Sequence, residues 1–344
     1  MKCKLLENQV YIATTGEYRL CCTSREPSSG ETVWTHTPQE WLKSKTVQTA
    51  IDTLAKDEWP DSCERCMTEE SAGLTSRRMT RDQMGPDLTH LDLRFGNSCN
   101  LKCISCWSQS SSRINDEATE MQQRGIIPLH PIHENSVANW YDEKFFKYFE
   151  NLNLKEVALA GGEPMMIKHL PEFLERLDPS VVVRFTSNAT IYNPKVYKIL
   201  KKFDKIIMSV SMDAVGDRIE YIRYGTKWKD VEENTLRLAE FCKMDLIPCI
   251  SVLNALYYDE ILEWNSKYNF KIYNNMLQHP NYLHLKNAPT SLKAQLTRFE
   301  SWYSQPADET EQQAFVNNIT KLDSFRNVNI KDYLPEVAAA YGIN

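Results

Sequence analysis

Residues 95–108 read FGNSCNLKCISCWS. Cys99, Cys103 and Cys106 fall inside eight residues, in the pattern C-x3-C-x2-C. Three thiolates can hold a metal cluster at three corners. A fourth would close it, so a three-cysteine set keeps one iron open to an outside ligand, as a catalytic zinc site keeps one position open. The competing occupant is a zinc ion, which calls for a fourth protein ligand nearby and favours C-x2-C pairs. Spacing alone leaves both open.

Working outward, residues 88–97 just before this loop alternate as a strand. A strand–helix series then follows. Residues 143–152, 169–177, 194–203, 228–243 and 259–268 have helical apolar spacing, and residues 154–162, 180–189, 204–214, 245–255 and 270–277 read as strands. This alternation predicts parallel βαβ units. The strands are two-faced. Val181, Val183 and Phe185 alternate with Arg184, Thr186 and Asn188. Ile206, Met208, Val210 and Met212 share one face, and the other ends in Ser209, Ser211 and Asp213. An open sheet covered on both sides would be apolar on both faces. The split predicts a barrel, with apolar side chains toward outer helices and polar ones toward a site at the strand C-terminal ends.

The flanks differ. Residues 1–85 are Ser/Thr-rich, with an expected hairpin over 8–22 turning at Gly16. One helix is expected over 37–56, opened by Thr37, Pro38 and Glu40 as a capping box. Little core is available there, and such segments usually need a metal or disulfides. From residue 286 the chain reads as helical, over 291–304 and 312–326. Ten cysteines, seven of them in the groups Cys21-Cys22, Cys63-Cys66 and Cys99-Cys103-Cys106, point to metal or redox chemistry rather than disulfides in a cytosolic chain. No apolar run is long enough to span a bilayer, and a cytoplasmic protein is expected. A net charge of −6 without a long basic block disfavours nucleic acid as a partner.

CNLKCISCW, with an aromatic residue after the third cysteine, resembles the cluster-binding motif of the radical S-adenosylmethionine (radical SAM) enzymes. The resemblance extends over most of residues 88–285. It implies a partial (β/α)6 TIM-like barrel within an α/β fold, and a [4Fe–4S] cluster on Cys99, Cys103 and Cys106 that binds S-adenosylmethionine (SAM). Gly161, Gly162, Glu163 and Pro164 look like the family's segment contacting the methionine amino group. By similarity Asn188, Ser211, Asp213, Arg223 and Asn254 lie near SAM. The implied activity is reductive cleavage of SAM to a 5′-deoxyadenosyl radical that abstracts hydrogen from a substrate, fed by a one-electron donor such as flavodoxin or ferredoxin.

GEYRLCCTS followed by WPDSCERCMTEESAG resembles the auxiliary-cluster modules called twitch and SPASM. That resemblance implies a second [4Fe–4S] cluster on Cys3, Cys22, Cys63 and Cys66, with Cys22 taken over Cys21 because the second of such a pair is commonly the ligand. A structural zinc site fits the same spacing. The expected organisation is an auxiliary-cluster domain over 1–85, the barrel over 86–285 and a helical extension over 286–344. Cys242 reads as a buried apolar residue. Cys249 shares a strand face with Ser251 and is a candidate hydrogen donor to a substrate radical. The first expectation for the substrate is a peptide or protein side chain, although no separate peptide-leader-binding domain is legible at the N-terminus. The alternatives are a sugar or nucleotide intermediate and, from another class, a non-catalytic zinc-stabilised binding module.

Overall fold

In the computed structural model of the protein, β-branched and leucine residues alternating with polar ones form the central strands. The structure describes residues 1–24, 30–71, 73, 75–81, 87–134, 140–141, 143–150 and 152–343, with the side chains of 143 and 144 left out. The strands are β1 (Gln9–Ile12), β2 (Tyr18–Arg19), β3 (His90–Arg94), β4 (Glu156–Ala160), β5 (Val182–Ser187), β6 (Ile206–Val210), β7 (Lys243–Leu246), β8 (Cys249–Ile250), β9 (Lys271–Ile272) and β10 (Asn275–Met276). The main sheet runs β2-β1-β3-β4-β5-β6-β7-β9, with β10-β8 as a separate pair. β2 is antiparallel to β1, whereas β1–β3, β3–β4, β4–β5, β7–β9 and β8–β10 are parallel. This is an α/β fold with a mostly parallel sheet, as the strand–helix alternation predicts.

The chain forms two compact units that interleave in sequence. One holds 1–99, 137–186 and 193–207, and the other holds 100–136, 187–192 and 208–344. The expected boundary between residues 85 and 86 lies outside the described residues.

In the first unit, Leu91, Leu93, Val157, Leu159, Val183 and Phe185 are almost fully buried on one side of the sheet. Each contributes roughly 1.5–3 kcal/mol of burial, an upper bound on the folding gain. The register puts Tyr11, Asp92, Ala158 and Arg184 in one row on the opposite side. The two-faced reading of these strands therefore holds. The N-terminal hairpin forms, with Gly16 at φ +81 where a side chain would be strained. Its strand β1 joins the sheet beside β3.

The helix expected over 37–56 is two helices, Pro38–Leu42 and Lys45–Ala55. The Thr37/Glu40 capping box is present. The break follows from Ser44, whose Oγ accepts the Val47 N–H at 3.3 Å and so caps a second start.

In the second unit, Pro248 divides the expected strand over 245–255. It carries no N–H for the ladder, so β7 ends at Leu246 and β8 restarts at Cys249. The helix expected over 291–304 splits into Thr290–Lys293 and Glu300–Tyr303, with Phe299 at φ +67 before the second. Glu309–Arg326 is one long helix, so the C-terminal part is helical as expected. Cys242 is buried. Among the described residues no helix is long and apolar enough to cross a membrane.

Candidate active site

β3 runs directly into the loop that carries Cys99. Opposite it, the exit of β4 passes through Gly161 and Gly162. The Gly162 N–H donates to the Gly96 carbonyl at 3.0 Å, and the Glu163 N–H donates to the Ser98 carbonyl at 2.7 Å. A Cβ on Gly162 would stand 2.1 Å from the Ser98 oxygen, and one on Gly161 would stand 2.7 Å from the Gly96 oxygen. The two glycines are there because backbone meets backbone. Glu163 is buried, and its Oε1 accepts the Met165 N–H at 3.1 Å, capping the short turn Pro164–Met166. Gly162→Ala is expected to push the Cys99 loop off its track. Its signature is a lower melting temperature together with iron lost on gel filtration, and wild-type iron retention would show that the loop adapts.

In the second unit the Cys103 segment is bracketed by Ile222–Tyr224. The Lys102 N–H donates to the Tyr224 carbonyl at 2.8 Å, and the Ile104 N–H to the Ile222 carbonyl at 2.9 Å. Arg223, between those two carbonyls, brings Nη1 to 3.9 Å from Cys103 Sγ and Nε to 2.8 Å from Asp213 Oδ2. The Arg223–Asp213 contact is an ion pair rather than a linear hydrogen bond. Asp213 is a hub. Its Oδ1 accepts the Cys249 N–H at 2.7 Å, and its carbonyl accepts Asn254 Nδ2 at 2.8 Å. Asn254 also donates to the Cys249 carbonyl at 3.0 Å and accepts the Ser251 N–H at 2.8 Å. Cys103, Arg223, Asp213, Cys249 and Asn254 thus form one connected network.

Burial pushes the Cys103 thiol up, and the Arg223 charge pulls it back only in part. A metal binding there displaces the proton. Burial works against the Arg223 charge, but Asp213 and Cys103 outweigh it and hold the guanidinium protonated. Cys106 donates its N–H to the Cys103 carbonyl at 3.1 Å. Asn188 donates to Asn100 Oδ1 at 3.0 Å, and its own oxygen accepts from the Thr190 N–H and hydroxyl at 2.9 and 2.6 Å. These bonds position Asn100, the residue after Cys99. Ser211 is half-buried just past β6, its N–H on the Ser187 carbonyl at 2.9 Å. The Cys249 Sγ accepts from Asn275 Nδ2 at 3.8 Å.

One group escaped the sequence reading. Arg326, at the end of the long helix Glu309–Arg326, makes a two-pronged contact with Glu117 at 3.0 and 2.7 Å and donates to the Lys102 carbonyl at 2.9 Å. Lys102 Nζ meets the same carboxylate at 2.8 Å, and both cations lie over the Tyr224 ring. The residue before Cys103 is thereby anchored from a helix more than two hundred positions away. No local signal marks it, since an arginine at a helix C-terminus is an ordinary occurrence. Burial raises Glu117, but the Arg326 hydrogen bond and charge, with Lys102, bring it below the ordinary glutamate value. Its stabilising contribution is complete above about pH 4.3 and is lost as pH falls through the lowered folded value. Glu117→Gln is expected to melt at a lower temperature at pH 7 and to lose less further stability in acid than wild type. Parallel acid limbs would remove Glu117 from the account.

Near the N-terminus, Cys3, Cys21, Cys63 and Cys66 line one small cavity, with Leu5, Leu6, Trp59 and Arg78. Cys22, expected as the ligand, does not line it. It sits instead within electrostatic reach of Asp92, Arg77 and Arg94. The pair sits in the turn that follows β2, where the Ser24 N–H donates to the Cys21 carbonyl at 3.2 Å, and Cys21 is the one that faces the cavity. Burial pushes the Cys21 thiol up to about 11 and the Cys63 thiol up to about 12. Among the described residues no three Cys, His, Asp or Glu side chains converge tightly enough to hold a single metal ion. The four thiols surround a space, and three thiols on the 99–106 loop supply soft donors without a fourth side chain. Both donor sets fit an iron–sulfur cluster.

The family model described as the radical SAM superfamily matches residues 93–265, half of the 344-residue chain. The chain belongs to the radical SAM superfamily. It is an enzyme of that family, and the family implies a [4Fe–4S] cluster, SAM, a reductant and a substrate. A relative named "Probable GTP 3',8-cyclase" from Archaeoglobus fulgidus is 23% identical over 56% of this chain and 59% of its own length. The radical SAM cyclopropyl synthase TigE of Paramaledivibacter caminithermalis is 25% identical over 56% of this chain and 42% of its own. The chain thus spans about three-fifths or less of these two curated relatives. A solved structure of anSMEcpe with bound AdoMet aligns over 70% of this radical SAM chain and 62% of its own, at 15% identity and a TM-score of 0.43.

Proposed function

We propose that this radical SAM enzyme acts on a nucleotide. The observation that carries this is the company it keeps, since seven relatives bear the name GTP 3′,8-cyclase. The nucleotide alternative draws more support from them than the peptide or protein side chain expected first from the sequence.

In this reading Cys99, Cys103 and Cys106 hold the SAM-binding cluster, and Gly161, Gly162, Glu163, Pro164, Asn188, Ser211, Asp213, Arg223 and Asn254 line the SAM side. When bound, cluster and SAM supply one-electron cleavage and hydrogen abstraction from the substrate. The chain's own part is support. Arg223 holds positive charge beside the Cys103 sulfur, Asp213 fixes Arg223, and Asn254 fixes the turn that carries Cys249. Residues 1–85 provide a second [4Fe–4S] cluster on Cys3, Cys21, Cys63 and Cys66, with Cys21 preferred to Cys22 because it lines the cavity with the other three. Residues 86–285 carry the radical chemistry and 286–344 form the helical extension. Cys249 is a candidate hydrogen donor, and a flavodoxin- or ferredoxin-like protein supplies the electron.

The test is anaerobic. Reconstituted protein receives dithionite and SAM, with GTP or with a panel of peptides, and 5′-deoxyadenosine is followed. GTP is expected to raise its formation and to be consumed. Stimulation by a peptide and not by GTP would overturn the nucleotide reading. Iron counts on Cys21→Ser and Cys22→Ser decide the second ligand set. Loss in the first alone is expected, and loss in the second alone would return the assignment to Cys22.

A further inference from the structure

The polar face of the first unit's sheet carries more positive charge than its own carboxylates match. The register sets Tyr11, Asp92, Ala158 and Arg184 in one row, with Arg94 beside Ala160 in the same strands. The alanines keep the surface low between the arginine-bearing strands. Arg81 pairs with Glu156 Oε1 at 2.8 Å, and Arg184 Nε meets Oε2 of the same carboxylate at 2.8 Å. Arg94 pairs closely with Asp92 and lies over the Tyr11 ring, 5.3 Å from its centre. Arg77 stands 3.7 Å from the second Asp92 oxygen, too far for a hydrogen bond. Its buried Nε finds no acceptor among the described residues.

Among the described residues, four arginines therefore share two carboxylates, a formal excess of two positive charges on one partly buried surface. All four side chains keep a part of their area exposed, so a ligand can reach them. His90, on the same face, is pushed below its ordinary value by burial and by Arg81, Arg184 and Arg77, against the pull of Glu156. Unmatched guanidinium groups with donors to spare are costly to desolvate, and an anion offsets that cost. Their planar forks match phosphate oxygens two at a time.

We propose that Arg77, Arg94 and Arg184 bind the phosphate groups of the nucleotide substrate on this face. The proposal rests on the nucleotide reading above and names which part of the substrate is recognised. A purely structural charge network is the competing account, and Arg77 is the residue that separates the two, because its donors are the least used.

The experiment is equilibrium binding to the reconstituted full chain, with GTP, guanosine and inorganic tripolyphosphate as probes. Tripolyphosphate is expected to compete with GTP. Arg77→Met is expected to weaken both at least about tenfold, the loss of one charge-assisted contact, and to leave guanosine unchanged, with Arg77→Lys recovering part of the loss. Arg184→Met serves as a second variant, read only beside its melting curve because it also frees Glu156. GTP binding equally well to wild type and a folded Arg77→Met protein would overturn the phosphate site and leave the nucleotide reading standing. Tripolyphosphate binding that responds to Arg77, with no added affinity for GTP, would keep the anion site and overturn the nucleotide reading. No binding of any probe would overturn both.

Discussion

Cys103→Ala is expected to form no 5′-deoxyadenosine above background and to reconstitute with about four irons instead of about eight. The sulfur is one of three soft donors, and its removal leaves Cys99 and Cys106, which cannot hold three corners. The cavity lined by Cys3, Cys21, Cys63 and Cys66 uses none of these residues, so the cluster proposed there is expected to remain. The complementary variant, Cys63→Ala with Cys66→Ala, should lose the other half of the iron and keep some SAM cleavage uncoupled from product. SAM cleavage at wild-type rate in Cys103→Ala would sink the cluster assignment. Cys249→Ala makes a useful control. The backbone N–H of Cys249, not its sulfur, reaches Asp213, so the network survives the change. Iron and SAM cleavage should be retained, and only a reaction that uses the thiol as hydrogen donor would fail.

What could be read in the sequence follows from the range of the interactions. The strand faces were legible because alternation is local, and β5 shows Val183 and Phe185 buried beneath a half-exposed Arg184. The Thr37/Glu40 capping box was legible for the same reason. The helix break at Ser44 was not, because a serine serves equally as a cap or as a tolerated interior residue, and the choice lies in the packing on each side. Cys21 and Cys22 have nearly the same spacing to Cys63 and Cys66, so only the direction each side chain takes can separate them. The Arg326–Glu117–Lys102 anchor is a contact across more than two hundred residues, and no periodicity carries it. The arginine-rich face lies between these cases. Arg94 and Arg184 are visible as polar positions in strands, but their sharing of two carboxylates with Arg77 and Arg81 appears only once the register is known.

Asp213→Asn should be among the most destabilising single substitutions in the second unit. The carboxylate is 1% exposed and faces the Arg223 guanidinium at 2.8 Å. An asparagine can still accept the Cys249 N–H, so that bond is not the issue. Arg223 is what suffers, because it keeps its charge in a buried place without a counter-charge. Breaking one side of such a pair costs about 3–5 kcal/mol, which lowers the melting temperature on the order of 10 °C. The double variant Asp213→Asn with Arg223→Met removes both charges and should be less destabilised than the sum of the singles. The coupling is expected to reach about 2 kcal/mol, well outside the scatter of independent sites. Additive effects would mean that the pair does not interact in the folded protein. Arg223→Met has a second, separable consequence. It removes a cation 3.9 Å from the Cys103 sulfur, and charge and hydrogen bonds near the sulfurs set a cluster's reduction potential. With less positive charge nearby, adding an electron is harder, so the potential of a cluster on Cys103 should move to more negative values. A potential that stays put, with the melting temperature lowered, would confine Arg223 to holding the fold.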